Sequence, residues 1–413
     1  MKKYVVIALV IAFALTAAGC ATTKPEYRDG LAAFNNGNFA AAAKKMESLK
    51  DETNSMDYPL YMLDAAYSNE FAGDDRDALA YYTTGINAME QQLTGTVSTV
   101  NTISPGEARF YRGDQYEHVF THCFLGRVYF RLGQFNDARI EFQKANEQDI
   151  SADAKTEHDV TLAHYLVGES FLRLDDENDA AVALRNVVKF RPEFPYAYLE
   201  LAKISQKIGE YEEAQRYYQD YVKREKNPDK IKLEEKDESN LGILEVVIDV
   251  GDGPYRLGGP GNQKVRANYP DATEHVLVNG RSYQAYKLDE VLPHARHEAG
   301  KNVHAAKEAG LTAARRALEI LAYKETGVLI LTDENDNRRF DAMPGEFHVV
   351  QIPLRAGTYN AQLAAGASGR NPRGSLSGHG ITIKAGQKTY LFLKDWTGYY
   401  PPATRGRQGP RVY

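Results

Sequence analysis

The chain has 413 residues, 43% of them hydrophobic, with 50 basic against 56 acidic side chains. That length supports two or three domains with real cores. The acidic balance argues against a nucleic-acid binder, which would carry a basic face.

Residues 1–20 read MKKYVVIALVIAFALTAAGC. Lys2 and Lys3 make a basic start, and Tyr4 to Ala18 form an apolar run too short for a comfortable membrane span. The run ends Ala17-Ala18-Gly19-Cys20. These residues resemble a bacterial lipoprotein signal; an ordinary secretory signal with a chance cysteine is the alternative. The resemblance implies a signal over 1–19, acylation of Cys20 and a tether over 20–28. Several acyl chains anchor firmly where one binds only marginally. Ala21, rather than Asp, implies an outer-membrane location under enterobacteria-like sorting, and a periplasm-facing anchor is the expectation. Loss of Lys2 and Lys3 with the leader moves the formal charge from −6 to −8. With Cys20 taken by lipid, Cys123 has no disulfide partner. Its neighbours Phe120, Phe124 and Leu125 make it a buried packing thiol. No second apolar run of 18 residues follows.

Residues 29–225 carry a repeated pattern. Gly126, Tyr129, Gly133, Phe135, Ala138, Phe142 and Ala145 fall at offsets 0, 3, 7, 9, 12, 16 and 19. Gly168, Phe171, Ala180, Leu184 and Val187 fill 0, 3, 12, 16 and 19, and Ala202, Gly209, Tyr211, Ala214, Tyr218 and Tyr221 repeat the set. Gly30, Gly37, Phe39, Ala42 and Met46 give an earlier copy, and Ala66, Gly73, Ala78, Tyr82 and Ile86 another. The offsets resemble the tetratricopeptide repeat, a pair of antiparallel helices of about 34 residues. A small residue at 0 or 12 lets two helices approach, an aromatic fills the gap, and glycine at 7 ends the first helix. One hairpin cannot bury its apolar stripe, so neighbours must stack. The polar stretch Gln91–Gly113 interrupts the array, as a loop on the binding face or as a spacer. The charged stretch 226–240 reads as a linker.

From 241 to 413 the period changes to that of strands. Ile243–Val250, Val328–Leu331, Phe347–Leu354, Thr358–Leu363, Gly380–Ile383 and Thr389–Lys394 read as strands. His275–Val278 and Arg281–Lys287 read as a hairpin across a type I′ turn at Asn279-Gly280. Gly251–Asn262 reads as a Gly/Pro-rich loop and Lys301–Tyr323 as one long helix. Ala356–Tyr359 with the last two strands, across a short turn at Ala385-Gly386, resemble small extracytoplasmic β-sandwich modules. The fold class is therefore multidomain α+β: an N-terminal all-α superhelix, then a strand-rich region with one long helix. With Asn337-Arg338-Arg339-Phe340, Pro344 and Leu354–Tyr359, the layout resembles a family of repeat-bearing lipoproteins of Gram-negative bacteria. That resemblance implies no catalytic residues and no cofactor.

Candidate chemistry is sparse. Asp333, Asn335, Asn337 and Asp341 place oxygens at 1, 3, 5 and 9 of a calcium-like loop, but Arg338 and Pro344 stand where Gly and Glu belong. His294, His297 and His304 share a helical face without an acidic partner for a metalloprotease motif. Asp252 and Asp333 end strand-like runs and are possible paired carboxylates. Neither Gly-x-Ser-x-Gly nor His-Glu-x-x-His occurs. The expected function is a lipid-anchored envelope scaffold whose concave helical face binds other envelope proteins. The alternative is an envelope-polymer hydrolase in the C-terminal region, recruited by the repeats. On the groove reading, Arg127, Arg131, His164 and Lys203, with Glu200 and Lys207 nearby, face an extended or acidic ligand.

Overall fold

The computed structural model describes residues 24–94, 111–148, 159–233, 240–257, 264–268, 273–296, 338–364 and 377–395. Cys20, the calcium-like positions 333–337, His297, His304, the expected helix 301–323 and the strand 328–331 lie outside them. Most of the 91–113 insertion does as well.

Helices pair as antiparallel hairpins: α1 (Pro25–Asn35) with α2 (Phe39–Glu47), α3 (Tyr58–Ala72) with α4 (Asp75–Thr94), and α5 (Gln115–Arg131) with α6 (Phe135–Gln148). α7 (Thr161–Arg173) pairs with α8 (Glu177–Phe190), and α9 (Pro195–Lys207) with α10 (Tyr211–Arg224). The expected offsets do the expected work. A Cβ on Gly126 would stand 2.4 Å from the Phe142 ring, and one on Gly168 2.9 Å from Leu184. Each small residue at offset 0 thus makes room for the large one at 16. Ala138, Ala180 and Ala214 are buried at the helix contacts. Offset 7 is a left-handed residue in all five hairpins: Gly37, Gly73, Gly133, Gly209 and, in the fourth, Asp175 at φ 58°. The residue after it starts the outer helix. Asn38, Asp74 and Asp176 cap that helix by accepting the N–H three residues on, at 3.2 Å.

The inner helices α3, α5, α7 and α9 differ from the outer ones. In α5 every residue from Tyr116 to Val128 is buried, whereas α6 buries only Ala138, Glu141, Phe142 and Ala145. A helix buried all round is covered on two sides. The second cover is the C-terminal half of the same chain.

That half is a β sandwich. Its strands are β1 (Leu241–Val250), β2 (Asp252–Leu257), β3 (Lys264–Asn268), β4 (His275–Val278), β5 (Arg281–Gln284) and β6 (Tyr286–Glu290). They continue with β7 (Glu346–Arg355), β8 (Gly357–Ala364), β9 (Ser377–Ile383) and β10 (Lys388–Asp395). One sheet has the order β10-β1-β7-β6, the other β5-β4-β8-β9, and β2 with β3 forms a separate hairpin. The Asn279-Gly280 turn has φ of 51° and 77°, as a type I′ turn requires. Gly251–Asn262, expected as a loop, supplies β2 instead: the pairing of Tyr255 with Arg266 and of Arg256 with Val265 gives its N–H groups ladder partners. The last two strands flank the Ala385-Gly386 turn but join different sheets. β9 pairs with β8, and β10 runs parallel to β1. The linker is partly fixed. Asn227 exchanges two hydrogen bonds with the main chain of Gln284, at 3.0 and 2.6 Å. Asp229 accepts from Arg281 and Tyr283.

Alternation sends the two faces of the first sheet to different places. Leu244, Val246, Ile248, Val250, Val350, Ile352 and Leu393 pack between the two sheets. Val247, Val349, Phe347 and Phe392 join the inner helices in one continuous core.

Candidate functional site

The concave face of the array is the surface on which repeat proteins hold their ligands, and here the sheet lies over it. Three polar clusters form the junction.

The first centres on Arg127, which is fully buried. Its guanidinium donates to both carboxylate oxygens of Asp249 at 2.7 and 2.9 Å and pairs with Glu70 at 2.9 Å. It also lies over Phe124, 4.8 Å from the ring centroid, and over Phe392 at 5.4 Å. Tyr67 donates to Asp249 at 2.6 Å and Tyr82 to Glu70 at 2.8 Å, which completes the lone pairs. Arg131 shares Glu70 and pairs with Asp75. Beside them Lys394 donates to the Gly251 carbonyl at 2.8 Å. Burial pushes that lysine down to about 8, against the pull of Asp249 and Asp252.

The second cluster centres on Lys388, whose ammonium lies 2.8 Å from Glu169, 2.9 Å from Glu200 and 3.2 Å from Glu245. Burial alone would strip the lysine of its proton; Glu169, Glu200 and Glu245 hold it above the ordinary range. Gln351 bridges Glu245 and Glu200, Tyr165 donates to Glu245, and Tyr390 donates to Glu169. Burial raises Glu245 to about 7, with Lys388 pulling the other way. Burial would raise Glu200 too, but Lys203 and Lys388 draw it down to about 2.

The third cluster holds a segment, 338–343, that lies outside the strands and turns at Asp341-Ala342, where the Met343 N–H donates to the Phe340 carbonyl at 3.2 Å. Glu117 accepts the Phe340 N–H at 2.7 Å, and Asp64 accepts the Ala342 N–H at 2.8 Å. Tyr111 and the Asp114 N–H also donate to Glu117, and Tyr27 donates to Asp64. The Phe340 ring meets Tyr67 edge-on at 5.9 Å and Phe124 at 6.0 Å. Arg338 pairs with Asp57 at 2.8 Å, donates to the Met56 carbonyl at 3.1 Å and lies over Tyr111.

The residues expected to face an open groove are placed otherwise. Arg127 is sealed under the sheet, and Arg131 is engaged in the same cluster, because the strand carboxylate Asp249 and the helix carboxylate Glu70 neutralise them there. Lys203 pairs with Glu200 at the edge of the second cluster, and Lys207 pairs with Glu177 on a neighbouring hairpin. His164 stands apart: it pairs with Asp159 at 3.2 Å and stacks on Phe190. Carboxyl groups, not Lys or Arg, meet residues 338–343: Asp57 pairs with Arg338, and Asp64 and Glu117 accept main-chain N–H groups. His294 packs edge-on against Phe120 and faces Asp289 at 3.5 Å. Asp341 accepts from Arg339 at 3.0 Å, an arginine contact rather than a cation site. Asp252 carries a carboxyl raised by burial, and its suggested partner Asp333 lies outside the described residues. Among the described residues no group of three or more His, Cys, Asp or Glu is arranged to hold a metal ion. None of their helices is long and apolar enough to cross a membrane.

Sequence reasoning missed Glu70, Asp249, Lys388, Glu169, Glu245, Asp64 and Glu117. A signal was present: the inner helices have no polar face, so something had to cover them.

The tetratricopeptide-repeat family profile matches residues 121–149 and 195–228, which are the α5–α6 and α9–α10 hairpins. No curated protein matches the sequence. Among solved structures, a crystal structure of MamA is 16% identical, with a TM-score of 0.36, over 47% of this chain and 93% of that one. The structure of MamA from residue 41 to its end, from Desulfovibrio magneticus RS-1, is 13% identical with a TM-score of 0.38, over 51% and 100%. The N-terminal half of this chain is an array of tetratricopeptide-type helical hairpins, closed on its concave side by the chain's own β sandwich.

Proposed function

We propose that this chain is a lipid-anchored cell-envelope scaffold, acylated at Cys20, whose helical array binds other envelope proteins from the periplasmic side of the outer membrane. One observation carries the binding part. The concave face already holds residues 338–343 of the chain by two main-chain N–H groups, an aromatic anchor and an arginine, as a peptide-recognition surface does. The anchoring part is supported by Ala17-Ala18-Gly19-Cys20 after an apolar leader. In this reading the sandwich governs access to the array, because it fills the face that would otherwise be open.

The test is crosslinking and affinity capture of the full-length lipidated protein from its own envelope, beside a Cys20→Ser variant. The lipidated chain should fractionate with the outer membrane and retain envelope proteins, and Cys20→Ser should leave the membrane fraction. If Cys20→Ser stays with the outer membrane and mass spectrometry finds no lipid on the parent, the anchoring reading is wrong. Capture no greater than from a control lipoprotein of similar size would remove the scaffold reading.

A further inference from the structure

We infer that the N-terminal end of the concave face, between α1, α3 and α5, is an exchangeable peptide seat. Residues 338–343 are its built-in occupant, and its partner ligand is a segment with an arginine followed two residues later by an aromatic that opens a turn. The inference rests on the binding reading above and names the chemistry of the ligand.

Consider what the helices read in the present occupant. Asp64 and Glu117, both buried, accept the main-chain N–H groups of Ala342 and Phe340, and the Met343 N–H closes a turn on the Phe340 carbonyl at 3.2 Å, so the seat holds a turned backbone whatever its side chains are. Selectivity then comes from two side chains. Phe340 fills the slot between Tyr67 and Phe124, and Arg338 meets Asp57, the Met56 carbonyl and the face of Tyr111 at the rim. A buried aromatic anchor with a polar rim is the usual layout of a peptide site. Arg339 between them points away, to the carbonyls of Gly253 and Pro254, so that position is not read by the array. The carboxylate at the rim is Asp57, so that position suits a basic side chain.

The occupant can leave without dismantling the sandwich. Residues 338–343 contribute to no strand, and β7 begins only at Glu346. The hydrogen bonds holding them to β2 are the Gly253 N–H to the Met343 carbonyl and the two from Arg339. Tethering sets a high price on competition in trans, since a linked segment acts at an effective concentration on the order of millimolar. A free peptide should therefore bind the intact chain poorly and bind well once the tethered copy loses its anchor.

The probe is a labelled synthetic peptide with the sequence of residues 336–346, titrated into the full chain by fluorescence anisotropy. A Phe340→Ala chain should bind it at least tenfold more tightly than the parent. Adding Asp57→Asn to that chain, or replacing the peptide's arginine and phenylalanine at the 338 and 340 positions by alanine, should return binding to the parental level. A folded Phe340→Ala chain that binds no better than the parent overturns the inference. If Phe340→Ala does not fold by circular dichroism, Arg338→Ala takes its place, since it removes only the rim contact. A threefold gain is then expected, and no gain overturns the inference. Failure here leaves envelope capture intact, because partners bound elsewhere on the array would still be retained.

Discussion

The two faces of the β10-β1-β7-β6 sheet solve the same problem in different ways. Along β1, Leu244, Val246, Ile248 and Val250 turn toward the second sheet and meet apolar neighbours, while Glu245 and Asp249 turn toward the helices and meet charges. The neighbouring strand repeats the split: Leu391 and Leu393 on one side, Lys388 and Lys394 on the other. The apolar face holds by area, which tolerates some sliding. The charged face holds by pairing, which does not: each buried ion requires its partner at hydrogen-bond distance, so the junction has one register. Those ions are set in the apolar core that Val247, Phe347, Val349 and Phe392 share with the inner helices. The molecule thus combines a sandwich held by area with a closure over the array held by area and by charge pairs.

The largest expected effect breaks the charged side at its centre. Arg127→Met keeps most of the side-chain volume but leaves Asp249 and Glu70 buried without their cation. Removing one partner of a buried ion cluster costs about 3–5 kcal/mol. Urea denaturation should show that loss, and trypsin should cut at Arg338 and Arg339 faster as the sheet loosens. The sharper form is the triple variant Arg127→Met, Glu70→Leu, Asp249→Leu. With no orphaned charge it should recover much of the stability, since apolar replacement of a buried ion cluster is often neutral or better. A triple variant as unstable as the single one would mean that the ions themselves, not their mutual neutralisation, hold the junction.

The second prediction uses pH, because the buried carboxyls with the largest upward shifts include Glu117 at about 8 and Glu245 at about 7, both at the junction between the array and the C-terminal half. Burial raises both above their unfolded values. Between roughly pH 5 and 8 the folded state therefore keeps protons that the unfolded chain has released. Stability should fall as pH rises through that window, by on the order of 1 kcal/mol per pH unit for each such group. Glu200 works the other way: drawn down to about 2, its contribution is present above the unfolded value and lost as pH falls toward 2. Glu274, at the end of the sandwich and raised to about 8 by burial and by Asp395, adds to the fall from outside the junction. Glu245→Gln should flatten the part of the curve between pH 5 and 7. A denaturation series whose slope is the same in parent and variant would remove Glu245 as a source.

Much of the array was legible in the sequence because its rules are local. Gly126 needs Phe142 sixteen residues on, and the left-handed position at offset 7 selects glycine or, at Asp175, a residue that tolerates it. The β4–β5 turn was legible for the same reason. The partners of β9 and β10 were not, since a short turn permits either a hairpin or a crossing and only distant burial decides. β10 pairs in parallel with β1, and parallel strands sit where both faces are covered. The charged cluster was hidden more deeply. Arg127 and Asp249 stand 122 positions apart in the chain, and each alone resembles a solvated residue on a helix or strand. What betrayed them was indirect: the uninterrupted apolar run of α5 around Arg127, which left no side for water.

The smallest expected effect tests the apolar side one residue away from the charged one. Ile248 and Asp249 are adjacent on β1 and face opposite ways. Ile248→Val removes one methylene from a packed position, which costs about 0.5–1.5 kcal/mol through lost burial and a small cavity. Its cross-strand neighbour His348 keeps its pairing with Glu346, so the loss should be the same at pH 5 and pH 8. It should also leave protease access to residues 338–339 unchanged in the native state, since the helix-facing side of the strand is untouched. Chemical denaturation at both pH values and limited trypsin digestion read the two claims separately. Faster cleavage at Arg338 or Arg339 in the Ile248→Val chain would show that the two faces communicate through the strand. In that case the division between sandwich and closure would have to be abandoned, because a change in the apolar core would itself open the seat.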